Sequence, residues 1–239
     1  GMAATMGEFT FVAAPVAASM LGTIDAVMAL LVLSLLGAAP ALMVPRIPHA
    51  RAKPPVGGHG GSMLRPAILL WLACTLANSA VVSSIEIGAV SLALNYGYAP
   101  EMGFIFTVAL CLASVAGGVW VSVRNRTPRR AVVLGYMALM SAGAILAALQ
   151  VSVVATVIGA VAVGCCMAPL STYYSLMLDA LAAPHQKAEL FSVARTANAL
   201  GIIVTSTSLT LTSLAVTQAL AAAAIVLAAG VVAVATARG

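Results

Sequence analysis

Charged side chains are scarce in this sequence. Only 7% of its 239 residues are Asp, Glu, Lys or Arg, against about 25% in an ordinary soluble domain. So few charges cannot coat a soluble fold of this length, which excludes the soluble classes. Aromatic residues are also few, and no basic stripe is interleaved with them, so the net charge of +5 does not point to nucleic acid. The four cysteines, Cys74, Cys111, Cys165 and Cys166, all lie inside apolar runs and never at CxxC spacing. They are read as small packing residues with reduced thiols. His49, His59 and His185 fall in loops and form no zinc-binding set. There is no Walker lysine, no HExxH and no GxSxG, so the sequence gives no support to an ATP-driven pump or an intramembrane hydrolase. No enzyme activity, cofactor or metal is expected.

Apolar residues are abundant instead. They make up 62% of the chain, with a mean hydropathy of +1.11, and occur in runs of about twenty or more, long enough to cross roughly 30 Å of hydrocarbon as helices. The expected class is an all-α integral membrane protein. Breakers between the runs predict eight helices, over about 3–21, 24–44, 66–94, 102–123, 131–149, 152–180, 189–212 and 214–236. A Pro- and Gly-rich linker spans 45–65, and a break near Thr212–Ser213 separates the last two helices. The first run has no basic flank and leads directly into the second, so it is read as a span and not as a cleavable signal.

The charges sort by side. With eight spans, one side receives Arg46, Arg51, Lys53 and Arg65, then Arg124, Arg126, Arg129 and Arg130, then Lys187 and Arg238. The opposite side receives Asp25 and Glu101 and no basic residue. This is the asymmetry of the positive-inside rule, so the basic side and both chain ends are expected to be cytoplasmic, in a multi-pass protein of the inner (plasma) membrane.

Three ionisable residues fall within spans, where each costs a few kcal/mol or more unless it faces protein or water. Two readings are open for Glu86. It lines an aqueous cavity and binds a proton or cationic substrate, or it pairs structurally with Asn78, Ser83 or Ser84 near the outer interface. Glu8 is a weaker cavity candidate. Arg195 lies about six residues into its helix, within reach of the cytoplasmic surface by snorkelling. Asp179 ends the sixth span, where a neighbouring Lys or Arg would pair with it. Tyr173 and Tyr174, with Ser171 and Thr172, form a polar patch open to a cavity or to structural hydrogen bonding. Small residues recur at packing spacing in "ASVAGGVW", "GAVAVGCC" and "ANALG", which suits close helix contact. Pro15 and Pro169 are candidate bends.

Two stretches, residues 85–130 ("IEIGAVSLALNYGYAPEMGFIFTVALCLASVAGGVWVSVRNRTPRR") and 168–201 ("APLSTYYSLMLDALAAPHQKAELFSVARTANALG"), resemble the major facilitator superfamily, specifically its bacterial efflux-type permeases. In that family a helix carrying a Glu ends in a short outer turn, and a Gly-rich helix then leads into an Arg-rich loop. A later helix opens with a segment that "AELFSV" at 188–193 approximates. "GEFTFVAAPVAAS" looks like the family's fifth helix, with Ala14-Pro15 in place of Gly-Pro. The loop at 124–130 matches the family motif in Gly118, Arg129 and Arg130 and lacks its Asp.

The resemblance implies that the eight spans are helices five to twelve of a twelve-helix bundle, with four more expected upstream. Residues 1–44 would be the last two helices of the N-terminal half, 45–65 the cytoplasmic linker, and 66–239 the six-helix C-terminal half. It implies alternating access around a midplane site, with a small organic molecule exported in exchange for protons. Glu86, Asn78, Tyr173 and Glu8 would serve coupling or the substrate cavity. Arg124, Arg126, Arg129, Arg130, Asp179 and Arg195 would form the cytoplasmic gate or loop. The expected partners are that small molecule, protons and the lipid bilayer, with no nucleic acid. The alternative is a truncated or non-transporting membrane protein that acts only by association with another chain.

Overall fold

A computed structural model of the chain describes residues 65–124, 130–183 and 186–237, together with the helical residues Val27, Leu31, Ser34 and Leu35. Otherwise the spans expected over 3–21 and 24–44, the linker up to Leu64, and Glu8, Arg126 and Arg129 lie outside the described residues.

Within them the elements are α1 (Pro66–Glu86), α2 (Ala89–Asn95), a 3-10 turn (Pro100–Gly103), α3 (Phe104–Arg124), α4 (Arg130–Leu149), α5 (Val153–Leu181), α6 (Lys187–Leu211) and α7 (Leu214–Ala237). No strand occurs among the described residues.

Local chemistry sets the ends. Pro66 opens α1, where its missing N–H costs nothing. Ser152 caps α5 by accepting the Ala155 N–H at 3.2 Å. Gly97, at φ 75°, stops α2 in the left-handed conformation, and the Tyr98 N–H returns to the Ala93 carbonyl at 2.9 Å. Thr212 is extended, and the Ser213 carbonyl then accepts the Thr217 N–H at 3.0 Å to begin α7. The predicted break at Thr212–Ser213 is therefore present.

The span predicted over 66–94 is interrupted. Ile87 still bonds back to Ser83 at 2.9 Å, but helical bonding resumes only with Leu92 to Gly88 at 2.8 Å. A Cβ on Gly88 would fall on the Ser84 carbonyl oxygen and within 2.9 Å of the Leu214 side chain. The break thus sits where the first residue of α7 presses against the chain.

α1 is the most buried of the long apolar helices and α7 the least. α1, α5, α4 and α7 form a ring in which each packs on the next, α3 lies outside against α5, and α6 lies outside against α1. With α1 and α2 taken as one broken segment, this pattern repeats. Exchanging α1, α3 and α4 for α5, α6 and α7 turns the α1–α6 contact into α5–α3 and the α1–α7 contact into α5–α4, while α1–α5 and α4–α7 map onto themselves. Three helices are an odd number, so the second trio runs opposite to the first.

Glycines make the tightest contacts. A Cβ on Gly164 of α5 would overlap the Leu110 carbonyl of α3, and one on Gly201 of α6 would overlap the Ser79 hydroxyl and lie 2.5 Å from the Leu76 carbonyl of α1. These two glycines serve the two contacts that the repeat exchanges. Close approach through small residues is how helices gain dispersion and polar contacts without help from hydrophobicity in lipid.

Five described helices are long and apolar enough to cross a membrane: α1, α3 with its preceding turn, α4, α5 and α7. The outward side chains Leu112, Val119, Leu139, Ile145, Leu220, Leu227 and Val231 are exposed and apolar, with no charged coat over them. This is the solvation pattern of a multi-pass membrane protein. α6 has the length but falls short in apolarity, because Lys187, Glu189, Arg195, Asn198 and the hydroxyl run Thr205–Ser208 interrupt it.

Candidate functional site

The helix contacts fix depth. Gly201 lies midway along α6 and touches α1 between Leu76 and Ala80, and the Thr205 hydroxyl donates to the Ala80 carbonyl at 3.3 Å. Asn78 therefore lies at mid-depth. Glu86 is eight residues further on, about 12 Å at the helical rise, and close to the end of the bundle opposite the arginines. These two predicted site residues share a helix but not a level.

At mid-depth and below, α1 and α5 meet through aromatic rings. Trp71 packs edge-on against Tyr173, with ring centroids 5.5 Å apart, and tilted against Tyr174 at 5.8 Å. Tyr173, Tyr174 and Asn78 are all buried. The Asn78 Oδ1, Tyr174 hydroxyl and Ser141 hydroxyl have no hydrogen-bond partner among the described residues. A buried polar atom left unpaired costs about 1–3 kcal/mol, so each of these three side chains carries an unmet polar contact inside an apolar bundle. Trp71 was not singled out from the sequence. One Trp near the start of an apolar span reads as an interfacial anchor, and only the fold brings the two tyrosines to it.

Glu86 is half-buried at the C-terminus of α1, beside the interruption at Ile87–Gly88. No hydrogen bond or ion pair among the described residues reaches its carboxylate. The structural pairing considered from sequence does not form. Ser84 donates to its own helix at the Val81 carbonyl, 2.7 Å away, and Asn78 is too far along α1. Cys111 of α3 is its electrostatic neighbour.

At the basic end, Lys187 donates to Asp179 at 2.7 Å across the α5–α6 turn, so Asp179 does pair with a neighbouring cation. The Arg124 guanidinium stands 5.4 Å from the Trp120 ring centre, a cation–π contact one helical turn long. Arg130 and Arg195 are exposed. Ser171 and Thr172 are exposed on α5 while Tyr173 and Tyr174 turn inward, so the predicted polar patch divides between two faces. Pro169 is accommodated inside an unbroken α5.

The opposite end carries polar contacts that were not anticipated. Asn95 Nδ2 donates to Gln150 Oε1 at 2.9 Å, and Gln150 Nε2 donates to Gln218 Oε1 at 2.9 Å. The Tyr96 hydroxyl lies 2.6 Å from the Thr156 hydroxyl. The available signal was Gln218 itself, a lone amide in an alanine-rich run. Among the described residues no group of three His, Cys, Asp or Glu is placed to hold a metal ion. Comparison with protein-family models, with curated proteins and with solved structures finds no match to this chain.

Proposed function

We propose that this chain is part of a secondary active transporter of the major-facilitator type, which exports a small organic molecule in exchange for protons by alternating access. The observation that carries this reading is the repeat in helix packing, in which an inverted trio of helices reproduces the contacts of the first. Inverted repeats are a recurrent architecture of secondary transporters, with substrate sites near the bilayer midplane and at interrupted helices. The buried, unpaired polar atoms of Asn78 and Tyr174 support the same reading. In it, Glu86 takes up and releases the proton, since it is acidic, half-buried and, among the described residues, without a cationic partner. α6 is a sixth span whose polar side faces water or protein. The basic loops lie on the cytoplasmic side of the plasma membrane, as the positive-inside rule requires.

The test uses the protein reconstituted in proteoliposomes. An imposed proton gradient should drive accumulation of a lipophilic organic substrate, and Glu86→Gln should abolish the driven component while leaving protein insertion unchanged. Driven transport that survives Glu86→Gln removes Glu86 from coupling. No transport of any substrate, with insertion intact, favours a protein that acts by association.

A further inference from the structure

Arg124 closes α3 and Arg130 opens α4, and both are exposed. The chain from Met102 to Leu178, which supplies α3, α4 and nearly all of α5, contains four arginines and no aspartate or glutamate. Among the described residues no carboxylate pairs with Arg124 or Arg130. Elsewhere at this end of the bundle a cation is balanced: Lys187 opens α6, bonds Asp179 at 2.7 Å and is followed by Glu189 in the first turn. The first turn of α4 holds no acid, so Arg130 adds positive charge to the positive end of a helix dipole. The positive-inside rule accounts for the side on which these arginines lie, but not for their lack of an anion.

The second feature is the placement of Arg124. Its guanidinium stands over the Trp120 ring at 5.4 Å, and Trp120 is itself exposed between Val119 and Val123, which are also exposed. The charge is thus held at the border between an apolar surface and the basic end of the bundle, the level of lipid headgroups. A guanidinium stacked on a ring keeps its in-plane N–H donors free, and that planar fork matches the oxygens of a phosphate.

We propose that the α3–α4 end of the bundle binds an anionic phospholipid. Its phosphate takes the charge of Arg124 and Arg130, and its acyl chain lies along Val119, Trp120 and Val123. The apolar residues beside the guanidinium favour a lipid over a soluble anion. A net negative headgroup follows from the missing carboxylates, because the ammonium of a zwitterionic lipid would find no acid to receive it. The site is separate from Glu86 and Asn78, so it rests on the membrane class of the fold and not on the transport reading.

The experiment follows Trp120 fluorescence in the whole protein carrying Trp71→Phe, reconstituted in phosphatidylcholine bilayers. Phosphatidylglycerol with brominated chains is titrated in, and brominated phosphatidylcholine in a parallel series. The anionic lipid should quench Trp120 with an apparent preference of about fivefold or more, the factor expected from even one arginine near a charged headgroup. Arg124→Gln with Arg130→Gln should bring the two lipids to equal quenching. Arg65→Gln with Lys187→Gln removes as much charge from the same side and should leave the preference intact. Unfolding temperatures of both double variants confirm that they fold. Inorganic phosphate added at constant ionic strength should not displace the lipid. Equal quenching by the two lipids before any arginine is changed overturns the proposal, as does a preference that survives loss of Arg124 and Arg130. A preference lost equally in the Arg65 and Lys187 variant reduces the effect to net charge, and displacement by phosphate assigns a soluble anion. Either result removes the lipid site.

Discussion

Gly143 of α4 and Gly159 of α5 occupy each other's side-chain space. A Cβ on Gly143 would stand 2.9 Å from the Gly159 carbonyl oxygen, and one on Gly159 would stand 2.7 Å from the Gly143 carbonyl oxygen and 3.0 Å from the Ala147 nitrogen. Backbone cannot rotate aside as a side chain can, so the two helices must separate to admit any larger residue. Gly159→Val is expected to destabilise the bundle by about 1–3 kcal/mol, the usual cost of overpacking, measured as a fall in unfolding temperature in detergent. Gly135 and Gly230 are helical glycines with nothing within 4 Å of the same position. Gly135→Ala and Gly230→Ala should leave stability unchanged or raise it by up to about 1 kcal/mol, the difference in helix propensity.

The Asp179–Lys187 pair should contribute little to stability. Both side chains are nearly half exposed, at 45% and 43%, and exposed ion pairs are worth about 0–1 kcal/mol. Lys187→Gln is expected to shift stability by less than about 1 kcal/mol, with the small difference fading as salt is added. A larger loss would mean that the pair is shielded by chain outside the described residues.

Trp120 is exposed on α3, one turn before the Arg124 that ends the helix. Trp and Arg at a helix end mark the level of lipid headgroups. In a Trp71→Phe background, Trp120 fluorescence should be quenched more strongly by lipids labelled near the headgroup than by lipids labelled at the chain terminus. The reverse order would place this helix end inside the hydrocarbon.

Much of the fold could be read from the sequence because lipid imposes length and breakers impose ends. The helices predicted over 102–123, 131–149, 152–180 and 214–236 end within about two residues of α3, α4, α5 and α7. The interruption at Ile87–Gly88 could not be read this way. A single glycine inside an apolar run is ordinary, and what requires it is the backbone geometry at the break, where a Cβ would fall on the Ser84 carbonyl, with the Leu214 side chain packed beside it. The site was less legible for the same reason. Glu86 and Asn78 both stand out as polar residues in one span, and their eight-residue spacing alone sets them about 12 Å apart, but only the α6 contact at Gly201 shows that Asn78 is the one at mid-depth. Tyr173 stands out for its hydroxyl and turns out to pack its ring on Trp71. Gln150 and Gln218 are 68 positions apart and share a hydrogen bond that periodicity cannot reveal.

Transport by alternating access requires that the chain cross the bilayer with its basic turns together on the cytoplasmic side. Reporter fusions at Glu101, in the turn before α3, and at Asn125, just after it, test this directly, with an enzyme active only outside the cytoplasm and a fluorescent protein that matures only within it. The Glu101 fusion should report the outside and the Asn125 fusion the cytoplasm. Both fusions reporting the same compartment would contradict the threading, and the transport reading would fall with it.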